Sequence, residues 1–172
     1  DPYVDSDYFE TLKVIARQAE EDMAKLILMG VKPTFATAKY GYIIPETNDA
    51  ISNVSSFKEK PTEEQALGYL EQGALWNGGV FAFKLKYILE KAHKLIDFDD
   101  YADLFNKYET LDKISFDYAV VEQEDDLKVT RFDGEWKDLG TWNTLSEAMG
   151  ENIIGDGVMD DTCDGVHIIN EM

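Results

Sequence analysis

The run Trp76-Asn77-Gly78-Gly79-Val80-Phe81-Ala82-Phe83 constrains this chain more than any other. Its second half suits the pleated interior of a sheet, and its paired glycines let backbone approach a ligand closely. Such a strand presents Asn77 beside backbone N–H groups. Taken alone, it is equally a strand that follows a tight turn, and only the flanking segments separate the two readings.

Those segments alternate in period. Helical spacing of Leu12, Ile15, Ala16, Ala19, Met23, Leu26 and Ile27 predicts one long helix over residues 6–29, closed by Gly30. Strands are expected at Val31–Thr37, at Tyr40–Ile44 ending on Pro45, and at Ile51–Lys58, with Val54 and Phe57 inward. Thr62 and Gln65 have capping-box spacing at the start of a helix that faces inward through Ala66, Leu67 and Leu70 and ends at Gly73. After the strand at 76–84, helices are expected around Tyr87–Ala92 and over Tyr101–Tyr108, the latter with Leu104 and Phe105 inward. Ser115–Val121 is compatible with a strand or a capped helix, and the helix is preferred. Leu127–Phe132 reads as a strand, Gly134–Gly140 as a loop, and Thr141–Ala148 as a capped helix stopped by Gly150. This alternation indicates an α/β layered fold with a mixed sheet. From Asn152 onward, isoleucines and valines separated by glycine and aspartate suit short strands, such as rungs of a parallel helix of strands, so domains are expected at 1–150 and 151–172.

Composition excludes several classes of partner. The chain has 35 acidic against 16 basic side chains, a formal charge of −19, which argues against nucleic acid and suits a cation-assisted site for a phosphorylated ligand. No run reaches the roughly 18 apolar residues of a membrane span, and neither membrane nor signal peptide is indicated. One cysteine, Cys163, and two histidines leave no disulfide and no His/Cys metal cluster to expect. These features point to the cytoplasm, and a homo-oligomer stays open. Asp1 in place of an initiator methionine reads as a processed or excised piece.

Four loops bring polar residues next to glycine or proline: Tyr40–Tyr42, Glu59–Pro61, Trp76–Gly79 and Trp136–Trp142. Ligands in α/β folds bind where such loops collect. Glu59 can accept from sugar hydroxyls. Lys60 is either a mobile point charge for phosphate or a surface lysine. Asp138, between two tryptophans and ahead of a helix cap, either stiffens its loop or contributes an oxygen ligand to Mg²⁺. Neither a Walker loop, a dinucleotide loop, a serine elbow nor a His-Glu metal helix is present.

Five motifs in order carry a resemblance over residues 1–150: Tyr40-Gly41-Tyr42-Ile43, Phe57-Lys58-Glu59-Lys60-Pro61, Trp76-Asn77-Gly78-Gly79-Val80-Phe81, Ser115–Glu122 and Trp136-Lys137-Asp138-Leu139-Gly140-Thr141-Trp142. Together they resemble the sugar nucleotidyltransferase family, and within it the mannose-1-phosphate guanylyltransferases. The resemblance implies a Rossmann-like α/β mixed sheet that joins GTP and mannose 1-phosphate, with Mg²⁺, into GDP-mannose and pyrophosphate. It implies Asp1 and Asp138 as metal ligands, and Lys60 and Asp138 as catalytic groups. It implies Gly41, Glu59, Lys60, Asn77, Gly78 and Asp117 around the sugar 1-phosphate.

Two departures stand out. Ala36-Thr37-Ala38-Lys39 replaces the family's Pro-Glu-Thr-Gly, and no Gly-x-Gly-x-Arg run grips a triphosphate. The chain is therefore expected to be the C-terminal part of the catalytic domain, with its N-terminal nucleotide-binding part missing and no activity by itself. The alternatives are a glucose 1-phosphate transferase using UTP, ATP or dTTP, and a non-catalytic sugar-phosphate-binding subunit.

Overall fold

A computed structural model describes residues 2–170. Its elements in order are β1 (Pro2–Val4), α1 (Asp7–Glu20), β2 (Leu26–Val31), β3 (Tyr42–Pro45), β4 (Ile51–Lys58), α2 (Glu63–Glu71) and β5 (Leu75–Ala82). There follow α3 (Leu85–Leu95), α4 (Tyr101–Lys107), α5 (Phe116–Ala119), β6 (Leu127–Phe132), β7 (Trp136–Asp138), α6 (Trp142–Ala148), β8 (Ile153–Ile154) and β9 (Ile168–Ile169). Among the described residues they form two compact units, one of residues 7–133 and one of residues 2–6 with 134–170.

The larger unit is built on a mixed sheet in the order β2-β5-β3-β4-β6, which closes because β6 also pairs with β2. Only the β2–β6 pair is parallel; its neighbours run antiparallel. Leu26, Leu28, Ile43, Phe57, Leu75, Val121, Leu127 and Val129 make one apolar core. Each such side chain, fully buried, contributes about 1.5–3 kcal/mol relative to an exposed one. Helix α1 packs on the opposite face of β2 and β6, where Gln18 Nε2 donates to Thr130 Oγ1 at 2.8 Å.

That two-sided burial corrects the long helix expected over 6–29. Every residue of β2 is buried, so its apolar run carries no period-two signal and reads as more helix. The helix ends earlier, without glycine. Met23 N–H donates to Gln18 O (3.1 Å) and Asp22 N–H to Ala19 O (3.3 Å), with Asp22 at φ 54°. This is a Schellman ending with aspartate in the position usually held by glycine. Gly30 lies inside β2, where a Cβ would come within 2.5 Å of Leu75 Cδ1 and 2.6 Å of Val129 Cγ2.

Other expectations shift less. Residues 32–41 form irregular structure where a strand was expected over Val31–Thr37, and β7 occupies the expected Gly134–Gly140 loop. Leu67 and Phe105, expected to point inward, are exposed. Strands β4 and β5, helix α2 with its Thr62–Gln65 capping box, and the Ser115-capped α5 follow the sequence reading closely. In the smaller unit β1 pairs antiparallel with β7, and β8 pairs in parallel with β9, as rungs of stacked strands would. No helix among the described residues is long and apolar enough to cross a membrane.

Candidate functional site

Strand β3 lies between β5 and β4, and the register sets the site. Tyr42 faces Trp76 on one side and Lys58 on the other. One residue further along, Gly41 is flanked by Asn77 and Glu59. Asn77 N–H donates to Gly41 O at 2.8 Å, continuing the ladder. A Cβ on Gly41 would stand 2.5 Å from Glu59 Oε2, 3.0 Å from Phe57 Cζ and 3.2 Å from Asn77 Cβ. Any side chain at position 41 would have to displace the Glu59 carboxylate from the space it occupies.

The Glu59–Pro61 corner is held in an uncommon backbone state. Lys60 adopts φ 45°, a left-handed conformation that costs a non-glycine residue of order 1–3 kcal/mol, after which Pro61 and the Thr62 cap lead into α2. The Glu59 side chain is 6% exposed, whereas that of Lys60 is 56% exposed. Lys60 Nζ lies 3.1 Å from Glu59 Oε1. Glu59 Oε2 is buried with no hydrogen-bond partner among the described residues. Burial raises the Glu59 carboxyl pKa, Lys60 opposes that rise, and Asp117 and Glu122 add to it. A buried acceptor left unsatisfied costs about 1–3 kcal/mol, and a hydroxyl donor from a ligand would recover it.

Asn77 is tied at both ends of its amide. Its Nδ2 donates to Asp117 Oδ1 at 2.8 Å, and its Oδ1 accepts from Gly79 N–H at 3.1 Å. Behind it Trp76 is buried, its Nε1–H donating to the Tyr42 hydroxyl at 3.2 Å. That hydroxyl also donates to Thr37 O and accepts from Thr37 N–H, both at 3.0 Å. Phe35 and Tyr40 meet the Trp76 ring edge-on, each at 5.0 Å. Trp76 therefore packs the 32–41 segment behind the site.

The structure thus brings Gly41, Glu59, Lys60, Asn77 and Asp117 together in the larger unit. Gly78 differs in its surroundings, since a Cβ there would meet Val31 Cγ2 at 3.1 Å and Met29 O at 3.3 Å, both on β2. Tyr118, not singled out in the sequence, donates from its hydroxyl to Glu59 O at 3.4 Å. Its place next to Asp117 on a capped turn was the available signal.

Asp138 belongs to the smaller unit, as the last residue of β7 opposite Pro2. Its Oδ1 accepts from Gly140 N–H at 3.1 Å, and Thr141 caps α6 by a capping box with Thr144. Asp1, expected as its partner on a metal, lies outside the described residues. Among the described residues no three His, Cys, Asp or Glu side chains gather to hold a metal by themselves. Mg²⁺ commonly takes one or two carboxylates and completes its shell with phosphate and water. Asp138 is a donor of that kind.

Residues 1–153 match the nucleotidyl transferase family. The chain is 33% identical over 156 residues to the xanthan biosynthesis protein XanB of Xanthomonas campestris pv. campestris (strain B100), covering 80% of this chain and 33% of that protein. It is 32% identical over 154 residues to mannose-1-phosphate guanylyltransferase ManC of Salmonella typhimurium (strain LT2), covering 73% of this chain and 31% of that protein. The chain therefore spans about a third of the length of these curated relatives. Among solved structures, one described as mannose-1-phosphate geranyltransferase from Thermus thermophilus superposes with TM-score 0.74 at 31% identity, over 91% of this chain and 51% of that one. A mannose-6-phosphate isomerase from Helicobacter pylori shares the fold, with TM-score 0.64 at 19% identity, over 80% of this chain and 62% of that one.

These matches correct one expectation. The nucleotidyl transferase match covers residues 1–153, which overturns the expectation of a C-terminal part whose nucleotide-binding part is missing. The Gly-x-Gly-x-Arg run is absent, yet residues 1–153 match the family. A single loop reports one grip on phosphate, while the domain is recognised by strands and loops along its whole length.

Proposed function

Because this chain belongs to the nucleotidyl transferase family, we propose that it serves a sugar 1-phosphate nucleotidyl transfer and holds the hexose at Glu59 and Asn77. The observation that carries this reading is the buried, unpartnered Glu59 Oε2, set beside Gly41 and Asn77. An acceptor of that kind is matched by a sugar hydroxyl. Relatives named mannose-1-phosphate guanylyltransferase support mannose 1-phosphate and GTP as substrates, giving GDP-mannose and pyrophosphate.

In this reading a phosphate oxygen of mannose 1-phosphate attacks the α-phosphorus of GTP, and the bond to the departing pyrophosphate breaks. Glu59 and Asn77 hold the hexose so that the attacking oxygen is in line, a contribution of positioning. Lys60, with its ammonium in solvent reach, places positive charge near phosphate. Within the smaller unit, Asp138 would supply a carboxylate oxygen to Mg²⁺, an ion that would offset phosphate charge.

The test is turnover with Mg²⁺ across GTP, UTP, ATP and dTTP, each paired with mannose 1-phosphate or glucose 1-phosphate, following pyrophosphate release. GTP with mannose 1-phosphate should be the best pair; finding it among the poorest would overturn the assignment. Direct titration of hexose 1-phosphates separates binding from turnover, and Glu59→Gln should weaken that binding.

A further inference from the structure

We infer that Asp117 is a positioning residue, which sets the orientation of the Asn77 amide and does not itself contact the ligand. An asparagine amide has two N–H donors and two lone pairs. Asn77 commits one donor to Asp117 Oδ1 (2.8 Å) and one lone pair to Gly79 N–H (3.1 Å). Turning the amide over would set its oxygen against the Asp117 carboxylate and its NH₂ against the Gly79 N–H. Two repulsive contacts would replace two hydrogen bonds, one of them charge-assisted. The orientation is therefore settled before any ligand arrives. One N–H and one lone pair, in known places, are left for a sugar hydroxyl.

Asp117 can do this because α5 is anchored from several sides. Ser115 Oγ accepts from Tyr118 N–H at 3.4 Å. Phe116 packs against Phe81 and Phe83, at 5.0 and 6.0 Å between ring centroids. Just beyond the helix, Val121 is fully buried in the core. From the next position Tyr118 reaches the Glu59 carbonyl at 3.4 Å. A single helical turn thereby ties both hexose-facing groups to the core, the arrangement that lowers the ordering cost of binding.

This inference rests on the proposed function only for the identity of the ligand. The test uses the ¹⁵N-labelled 172-residue chain with Asp117→Ala and Asp117→Asn. In the second variant, the new amide oxygen can still accept from Asn77. Without ligand, Asp117→Ala should move the Asn77 side-chain NH₂ resonances and speed their exchange with water, while Asp117→Asn keeps them near native. Titrated with mannose 1-phosphate, Asp117→Ala should bind about tenfold more weakly and Asp117→Asn within about threefold of native. An unmoved Asn77 amide in Asp117→Ala overturns the inference. So does Asp117→Asn binding as poorly as Asp117→Ala, which would mean that the carboxylate itself meets the ligand. Asp117→Ser replaces the alanine variant if that one loses its dispersed backbone spectrum. If the native chain binds no hexose phosphate, the functional reading falls, and the ligand-free spectra alone decide whether Asp117 orients Asn77.

Discussion

Gly30 and Gly41 are both crowded, yet their substitution should break different things. At Gly30 a methyl would strike Leu75 and Val129 inside the core, so Gly30→Ala should cost about 1–3 kcal/mol in urea denaturation. At Gly41 the nearest atom is the far end of Glu59, which can move aside, while Phe57 Cζ at 3.0 Å and Asn77 Cβ at 3.2 Å need give only a few tenths of an ångström. Gly41→Ala should melt near the native temperature while hexose 1-phosphate binding, measured by calorimetry, falls about tenfold or more as the carboxylate is displaced. Glu59 adds a pH signature. Its carboxyl pKa is raised by burial in the folded chain, so across the range between its unfolded and folded values the native state binds more protons and loses stability as pH rises. Glu59→Gln should remove that loss, leaving the variant at least as stable at neutral pH but poorer in binding. A variant that loses as much stability with rising pH as the native chain does would contradict this account. Both glycines are visible in the sequence; that one serves the core and the other a carboxylate is not, since it depends on strands far apart in the chain.

At the level of elements, the end of α1 shows how a local rule can be satisfied by an unexpected residue. Asp22 sits in the left-handed region where glycine carries no steric penalty. Asp22→Gly should match native stability or exceed it by up to about 1 kcal/mol, whereas Asp22→Val should lose about 1–2 kcal/mol by thermal melting. Helix α3 is joined to the loop before β6 by a buried charge. Glu124, 6% exposed, accepts from the Tyr87 hydroxyl at 2.9 Å and pairs with Lys91 at 2.9 Å and Lys25 at 3.4 Å. Burial works against its ionisation, but Lys91, Tyr87 and the Asp126 N–H outweigh it and hold its carboxyl at about 2, below the ordinary 4.5. A lowered folded value stabilises above the unfolded pKa, and that contribution is lost as pH falls from about 4.5 through about 2. Glu124→Ala should therefore cost about 2 kcal/mol or more at pH 7 and much less at pH 2. Equal losses at both pH values would rule out the ionised carboxylate as the cause.

For the whole molecule, a formal charge of −19 opposes compactness and repels phosphate. Thermal stability should rise from 10 to 150 mM NaCl as self-repulsion is screened; a fall would show that attractive ion pairs dominate instead. Much of this protein is legible from local sequence: the capped helices, strands β4 and β5, the order of the polar motifs and the acid-rich surface. Each depends on side-chain period or on caps within a few residues. Strand β2 was not legible, because burial on both faces erases the alternation that marks a strand. The triplet Asn77–Gly41–Glu59 was visible only as three separate loops. Its geometry comes from β3 pairing with both β4 and β5, so the carboxylate's burial and the amide's orientation follow from cross-strand register, which neighbours in the chain do not encode.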